Sequence, residues 1–163
     1  MLRMRPLCTI AAILGSTAVI GSQAAPIAAL SEAQRAHLNA DRLQVVTAIR
    51  GLPLGVRDGL QALFAGVSLD IAEPGAEFQV TDVLGSSRLP IRRLVAAGCS
   101  TDHCLVYYER GGIAHTWQVA LFHWTPEATR FEWGGIAPGG LKTIDDVRNA
   151  VLSGAIKAAN RSW

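Results

Sequence analysis

Apolar residues recur at helical spacing in the region that follows residue 30. Ser31 and Gln34 have the spacing of a capping box, which is typical of a helix N-terminus. The positions that share one helical face after this box are Leu38, Arg42, Val45, Val46 and Ile49. Gly51 and Pro53 predict the end of the helix, because glycine favours the C-cap and proline cannot continue the hydrogen-bond ladder. A second helix is predicted over 56–65, where the apolar positions again form one face.

From about residue 67 the apolar positions alternate with a period of two, which predicts short strands. Strand candidates lie at 67–72, 76–83, 91–98, 105–109, 115–124 and 129–133. Pro74 and Gly75 suit the centre of a type II turn between the first two. Because the connections are short, neighbouring strands are expected to pair antiparallel.

The C-terminal part returns to helical spacing. The segment 134–140, GGIAPGG, has neither helix nor strand character and is predicted to be a loop. Thr143 and Asp146 form another capping box, followed by a predicted helix over 144–159. The fold class is therefore α+β, with an antiparallel sheet of about five strands flanked by two N-terminal helices and one C-terminal helix.

The longest strand candidate, 115–124, carries apolar side chains on both of its faces. This pattern predicts a central strand that is covered on both sides. On the next strand, Phe131 and Trp133 are expected to share one face, since they are two residues apart.

The first 24 residues have the pattern of a secretory signal peptide. Arg3 and Arg5 precede an apolar run, and Ser22 and Ala24 have the spacing that a signal peptidase requires. We therefore expect cleavage after Ala24 and a single domain over 25–163. The alternative is a membrane anchor, but the apolar run is shorter than the roughly 20 residues that a span needs.

Charge argues against some partners of the mature chain. Without Arg3 and Arg5, 13 of the 15 basic residues remain, and they balance the 13 acidic residues. A neutral chain is not expected to bind nucleic acid or, after signal removal, a membrane. The excess of arginine over lysine is typical of a GC-rich bacterial genome, so the expected location is the periplasm or the exterior of a bacterium.

Two cysteines remain after Cys8 is removed with the signal peptide. In an oxidising compartment an even pair favours a disulfide, so Cys99 and Cys104 are predicted to be bonded across the neck of a hairpin. A zinc site with His103 and His123 is an alternative, although the spacing matches no zinc module. A redox centre is another, but such centres normally place two residues between the cysteines.

The disulfide loop itself is the candidate binding site. The bridge is expected to hold Ser100, Thr101, Asp102 and His103 as a rigid polar tip, which loses little entropy on binding. The alternative is a stapled turn that is polar only because turns are polar. We predict no catalytic residues, because Asp102 and His103 are adjacent and no nucleophile elbow is present. No metal site and no cofactor are expected, and no phosphate-binding loop occurs.

The stretch AAGCSTDHCLVYYERGGIAHTWQVALFHW resembles the centre of the Ivy-type periplasmic inhibitors of vertebrate lysozyme. In that family a disulfide loop enters the active-site cleft of c-type lysozyme, and its histidine meets the catalytic carboxylates. The resemblance implies an antiparallel sheet flanked by helices and assigns the inserted histidine to His103. The order differs, since Asp102 precedes His103 here, whereas the family places histidine first, after a proline.

These patterns together predict a secreted, non-enzymatic binding or inhibitory module. A protein partner is expected, and the resemblance implies a c-type lysozyme. One alternative is a small periplasmic enzyme or ligand carrier with a pocket between the sheet and the 134–140 loop. Another is a structural envelope protein.

Overall fold

The protein is described by a computed structural model that covers residues 29–81 and 88–159. The predicted signal peptide, 1–24, lies outside the described residues. The elements in chain order are α1 (Glu32–Ala40), β1 (Gln44–Val46), α2 (Leu54–Leu63), β2 (Arg92–Cys99), β3 (His103–Arg110), β4 (Thr116–Trp124), β5 (Thr129–Ala137), α3 (Ile144–Leu152) and β6 (Lys157–Ala158). A short 3-10 helix, Ile49–Gly51, precedes α2.

The strands form one antiparallel sheet in which each strand pairs with the next along the chain, from β1 to β6. This confirms the α+β class with an antiparallel sheet. The described residues contain six strands, one more than the approximate number expected. The described helices include no segment of the length and apolar character needed to cross a membrane.

The first helix is shorter than its hydrophobic pattern predicts. The capping box is confirmed, because the Ser31 side chain accepts a hydrogen bond from the Gln34 backbone N–H and the Gln34 side chain accepts one from the Ser31 backbone N–H. The helix ends at Ala40 with Asp41 as its C-cap, and Val45 and Val46 belong to β1, where Val45 pairs with Gly98 of β2. The β-branched residues at 45 and 46 favour a strand, and pairing with β2 satisfies their backbone groups.

The segments 67–72 and 76–81 are not strands, contrary to the prediction. They form two isolated bridges, one from Ala72 to Arg93 of β2 and one from Thr81 to Gly112 in the connection between β3 and β4. The turn between them is confirmed, since Ala76 N donates to Glu73 O at 3.0 Å and Gly75 has a φ of +75°. The antiparallel partner of β2 on this side is therefore β1, which precedes both segments in the chain.

The predicted loop at 134–140 is partly a strand, because β5 continues to Ala137. Gly135 pairs with Val119 of β4 and with Ala158 of β6, so it lies in β5 between two strands. The C-terminal helix begins at its predicted capping box but ends at Leu152, well before residue 159. Gly154, with a φ of +77°, turns the chain back toward β6.

Apolar clusters cover both faces of the sheet, as the pattern of β4 predicted. One face packs against α1 and α3, and we call it the α1–α3 face; its strand residues include Tyr107 and Leu121. The other packs against α2 and includes Tyr108 and Phe122.

A register shift in β5 changes the direction of its side chains. Leu121 pairs with Trp133, but Phe122 pairs with Phe131, so Glu132 is an extra residue in a β-bulge. Phe131 and Trp133 therefore belong to opposite apolar clusters, contrary to the prediction that they share a face. The bulge brings Glu132 to the α1–α3 face beside Trp133.

Candidate functional site

The disulfide between Cys99 and Cys104 is confirmed. The two residues are register partners at the end of the β2–β3 hairpin, and their Cα atoms are 4.1 Å apart. Inside the loop, Ser100 N donates to His103 O at 2.7 Å, and Ser100 Oγ accepts from His103 N at 3.0 Å. The disulfide and these two hydrogen bonds fix the loop backbone.

The four predicted tip residues differ in their exposure to solvent. Thr101 is exposed, and Ser100 and Asp102 are half-buried. His103 is only 4% exposed, because it begins β3 on the α1–α3 face and lies beneath α1. The surface of the tip is therefore Thr101 with parts of Ser100 and Asp102, whereas the histidine points into the molecule.

Around His103 lies a group of acidic and imidazole side chains that the sequence did not predict. We call it the acid–imidazole cluster, and it consists of His37, Asp41, Asp102, His103, His123 and Glu132. The Nδ1 atom of His103 lies 2.9 Å from Asp102 Oδ1 and 3.5 Å from Asp41 Oδ2. Its Nε2 atom lies 3.7 Å from Glu132 Oε2.

Two further imidazoles flank the His103 ring. The ring of His37 has its centroid 4.6 Å away, and that of His123 is 5.3 Å away in an edge-on arrangement. His37 and Asp41 come from the C-terminal end of α1, whereas His123 is the register partner of His103 on β4. The cluster therefore joins α1, the disulfide loop and the sheet.

Glu132 reaches this cluster because of the bulge in β5. Its side chain is 9% exposed and accepts from Arg130 Nη2 at 2.7 Å and from Gln34 Nε2 at 3.5 Å. A regular strand would have directed Glu132 to the opposite face from Trp133. No periodic pattern in the sequence signals such a bulge, so Glu132 was missed.

The charge of Asp102 is stabilised by its neighbours. Burial favours the neutral acid, but hydrogen bonding and attraction from His103, with a hydrogen bond from Ser100, outweigh it and hold the pKa of Asp102 below its usual 3.8. The single hydroxyl proton of Ser100 has two carboxylate acceptors within reach, Asp41 Oδ2 at 2.9 Å and Asp102 Oδ1 at 3.3 Å. Ser100 thus connects the two carboxylates that face Nδ1 of His103.

The cluster does not have the geometry of a nucleophilic triad. A catalytic histidine needs one ring nitrogen directed at a nucleophile and the other at an orienting carboxylate. Both ring nitrogens of His103 face carboxylates. The arrangement is suited to hydrogen bonding or to holding a cation.

A cavity of about 380 Å³ opens onto the cluster, and its lining includes His37, Asp102, His103, His123 and Glu132. The alternative of a carrier or enzyme placed a pocket beside 134–140, where residues 134–137 instead belong to β5. A cavity lined by histidine and carboxylate groups lies between α1 and the strands β3 to β5.

A separate open groove of about 1010 Å³ lies beside the disulfide loop. Its walls include Ser100 and Thr101 of the loop, Trp124 at the end of β4, and all of β1. β1 is the first strand in the sheet order, and Val45 at its centre is 68% exposed. The disulfide loop and the edge of β1 therefore line the same groove.

A second histidine–carboxylate pair lies at the other end of the sheet. Glu109, which is 5% exposed, accepts from Arg93 Nε at 2.6 Å, and its Oε2 lies 2.9 Å from His115 Nε2. His115 also stacks on Trp117 with ring centroids 4.4 Å apart. This pair is remote from the disulfide loop.

Comparison with protein-family models, with curated proteins and with solved structures gives no match for this chain. The function is therefore inferred from the geometry of the loop, the groove and the cluster.

Proposed function

We propose that the protein is an exported, non-enzymatic binding module of the inhibitor type, which contacts a protein partner through its disulfide loop. The observation that carries this proposal is the position of the loop, whose fixed backbone forms one wall of the groove beside β1. A pre-ordered loop loses less conformational entropy on binding than a mobile one. Export from a bacterial cell to the periplasm or the exterior is part of the same proposal.

The edge of β1 supplies a second contact for the partner. An exposed strand edge offers backbone groups to which an extended segment can add, while its side chains provide selectivity. Val45 offers apolar area, and the exposed side chains of Arg42 and Arg50 line the same groove. A partner with an acidic cleft would complement these two cations.

The resemblance to Ivy-type inhibitors makes c-type lysozyme the first partner to test. In the resembled family the contact is made by a histidine, but His103 is buried here. We therefore propose that Thr101 leads the contact, with Ser100 and Asp102 beside it. His103 supports the loop from beneath, through its own interactions with Asp102 and Asp41.

Inhibition of bacterial-wall lysis by c-type and g-type lysozymes tests the proposal. Thr101→Glu places a charge at the exposed tip and is expected to weaken inhibition at least about tenfold, which corresponds to about 1.4 kcal/mol. Ile113→Glu is the matched control, because Ile113 is 95% exposed in the connection at the opposite end of β3. Its inhibition constant should equal that of the unmodified protein.

Two results would contradict the proposal in different ways. If micromolar protein inhibits none of the enzymes, lysozyme is not the partner. If a partner is inhibited equally by the Thr101→Glu and Ile113→Glu proteins, the contact does not involve the disulfide loop.

A further inference from the structure

Three side chains of the acid–imidazole cluster bring their ligand atoms together. One nitrogen or oxygen atom from each of His37, Asp102 and His103 lies within 4.8 Å of the other two. Two imidazoles and a carboxylate are donors that zinc and related divalent metals bind well. We infer that these residues form a binding site for a divalent transition-metal ion of the zinc class, and this inference does not depend on the proposed protein contact.

The spacing of the atoms around His103 agrees with such a site. Ligand atoms about 2.0–2.1 Å from a tetrahedral zinc ion lie roughly 3.3 Å from each other. The Nδ1 atom of His103 is 2.9 Å from Asp102 Oδ1 and 3.5 Å from Asp41 Oδ2. These two distances bracket that separation, and Asp41 lies close enough to His103 to add negative charge beside the three ligands. His37 is exposed on α1, and its ligand atom lies within 4.8 Å of those of Asp102 and His103.

Glu132 provides an independent indication. Histidines that bind a metal through one ring nitrogen usually donate the N–H of the other to a carboxylate, which fixes the ring. Glu132 Oε2 lies 3.7 Å from Nε2 of His103, which is within ion-pair distance but longer than a hydrogen bond, while Nδ1 faces the candidate ligands. The Glu132 side chain is itself held by Arg130 Nη2 at 2.7 Å. Glu132 is therefore a positioning residue for the ligand His103.

Access and charge also favour a cation. The cavity of about 380 Å³ connects His37, Asp102, His103 and Glu132 with solvent, so a hydrated ion can enter. The carboxylates of Asp41 and Asp102 would together neutralise a doubly charged ion. An ion held by His37, Asp102 and His103 would join α1 to the disulfide loop, since His37 comes from α1 and Asp102 from the loop.

Titration of the exported protein with zinc tests the inference. The protein is purified without a histidine tag, treated with a chelator, and titrated with Zn²⁺ in a calorimeter and with Co²⁺ in an absorption spectrometer. We expect one ion per chain, a micromolar or tighter Kd, and the visible bands of tetrahedral Co²⁺. The ion should also raise the unfolding temperature, because it binds the folded state.

The variants separate a ligand from a merely structural residue. Glu132→Gln should weaken zinc binding by about 10–100-fold, the usual effect of losing an orienting carboxylate. His37→Ala should weaken it at least as much, and its fold should persist because His37 is exposed. His115→Ala is the control, since His115 faces a carboxylate at the other end of the sheet and should leave the Kd unchanged.

Three results would overturn the inference. The first is the absence of both binding heat and Co²⁺ bands for the unmodified protein at millimolar metal. The second is an unchanged zinc Kd in the His37→Ala protein. The third is equal weakening by His37→Ala and His115→Ala, which would show that the ion binds surface histidines without selectivity.

Discussion

At the scale of single residues, Gly135 allows two backbones to approach closely. A Cβ atom at this position would lie 2.5 Å from the Lys157 carbonyl oxygen and 2.8 Å from Ile156 Cγ2. Gly135→Ala is therefore expected to displace β6 and to lower the free energy of unfolding by about 1–3 kcal/mol, measured by urea denaturation. Ile136→Ala is the control, because Ile136 is 42% exposed, and an equal loss in both variants would contradict this explanation.

Gly135 also shows why some features of the structure could not be predicted from the sequence. Glycines in GGIAPGG predict a loop, because glycine is most often found where the backbone turns. Here Gly135 is needed for a close contact with β6, which lies more than twenty residues later in the chain. The burial of His103 and the arrival of Glu132 likewise depend on contacts with α1 and on a bulge. Neither the contacts with α1 nor the bulge produces a recognisable pattern in the neighbouring sequence.

At the scale of elements, the capping box of α3 makes stability depend on pH. Hydrogen bonds from the Thr143 side chain and from the Thr143 and Lys142 backbones hold the pKa of Asp146 below its usual 3.8. Since the folded-state pKa is the lower one, Asp146 stabilises the fold above its ordinary pKa. This contribution disappears as the pH falls through the folded-state pKa.

Asp146→Ala should therefore lower the unfolding temperature at neutral pH, and the difference from the unmodified protein should shrink toward about pH 2. Thermal unfolding by circular dichroism across this range measures the effect. Asp58→Ala, at an exposed position of α2, is the control. A difference between Asp146→Ala and the unmodified protein that is independent of pH would argue against a role for the Asp146 charge.

Elements that are marked by nearby capping residues, alternation or short connections were predicted well. Elements that form only through pairing with a strand distant in the sequence were not. The start of α1 and the start of α3 are specified by nearby capping residues. The hairpin strands β2 to β4 follow from alternation and short connections. In contrast, Val45 and Val46 fit a helical face equally well, and only their pairing with β2 makes them a strand.

At the scale of the whole molecule, the disulfide fixes one end of a sheet that is already covered on both faces. One apolar cluster packs the sheet against α1 and α3, and the other packs the opposite face against α2. The disulfide closes a loop with a sequence separation of only 5, so the chain entropy that it removes from the unfolded state is worth about 2 kcal/mol. The core should therefore remain folded without it.

A Cys99→Ala, Cys104→Ala protein tests this expectation. Its free energy of unfolding should fall by about 2 kcal/mol in urea, while its far-ultraviolet circular dichroism and cooperative transition are retained. The control is the unmodified protein unfolded in the presence of reductant, which should show a similar loss. An unfolded variant would mean that the core cannot hold the β2–β3 hairpin unaided. A folded variant that nevertheless loses binding to a partner would show that the disulfide acts by ordering the loop for contact.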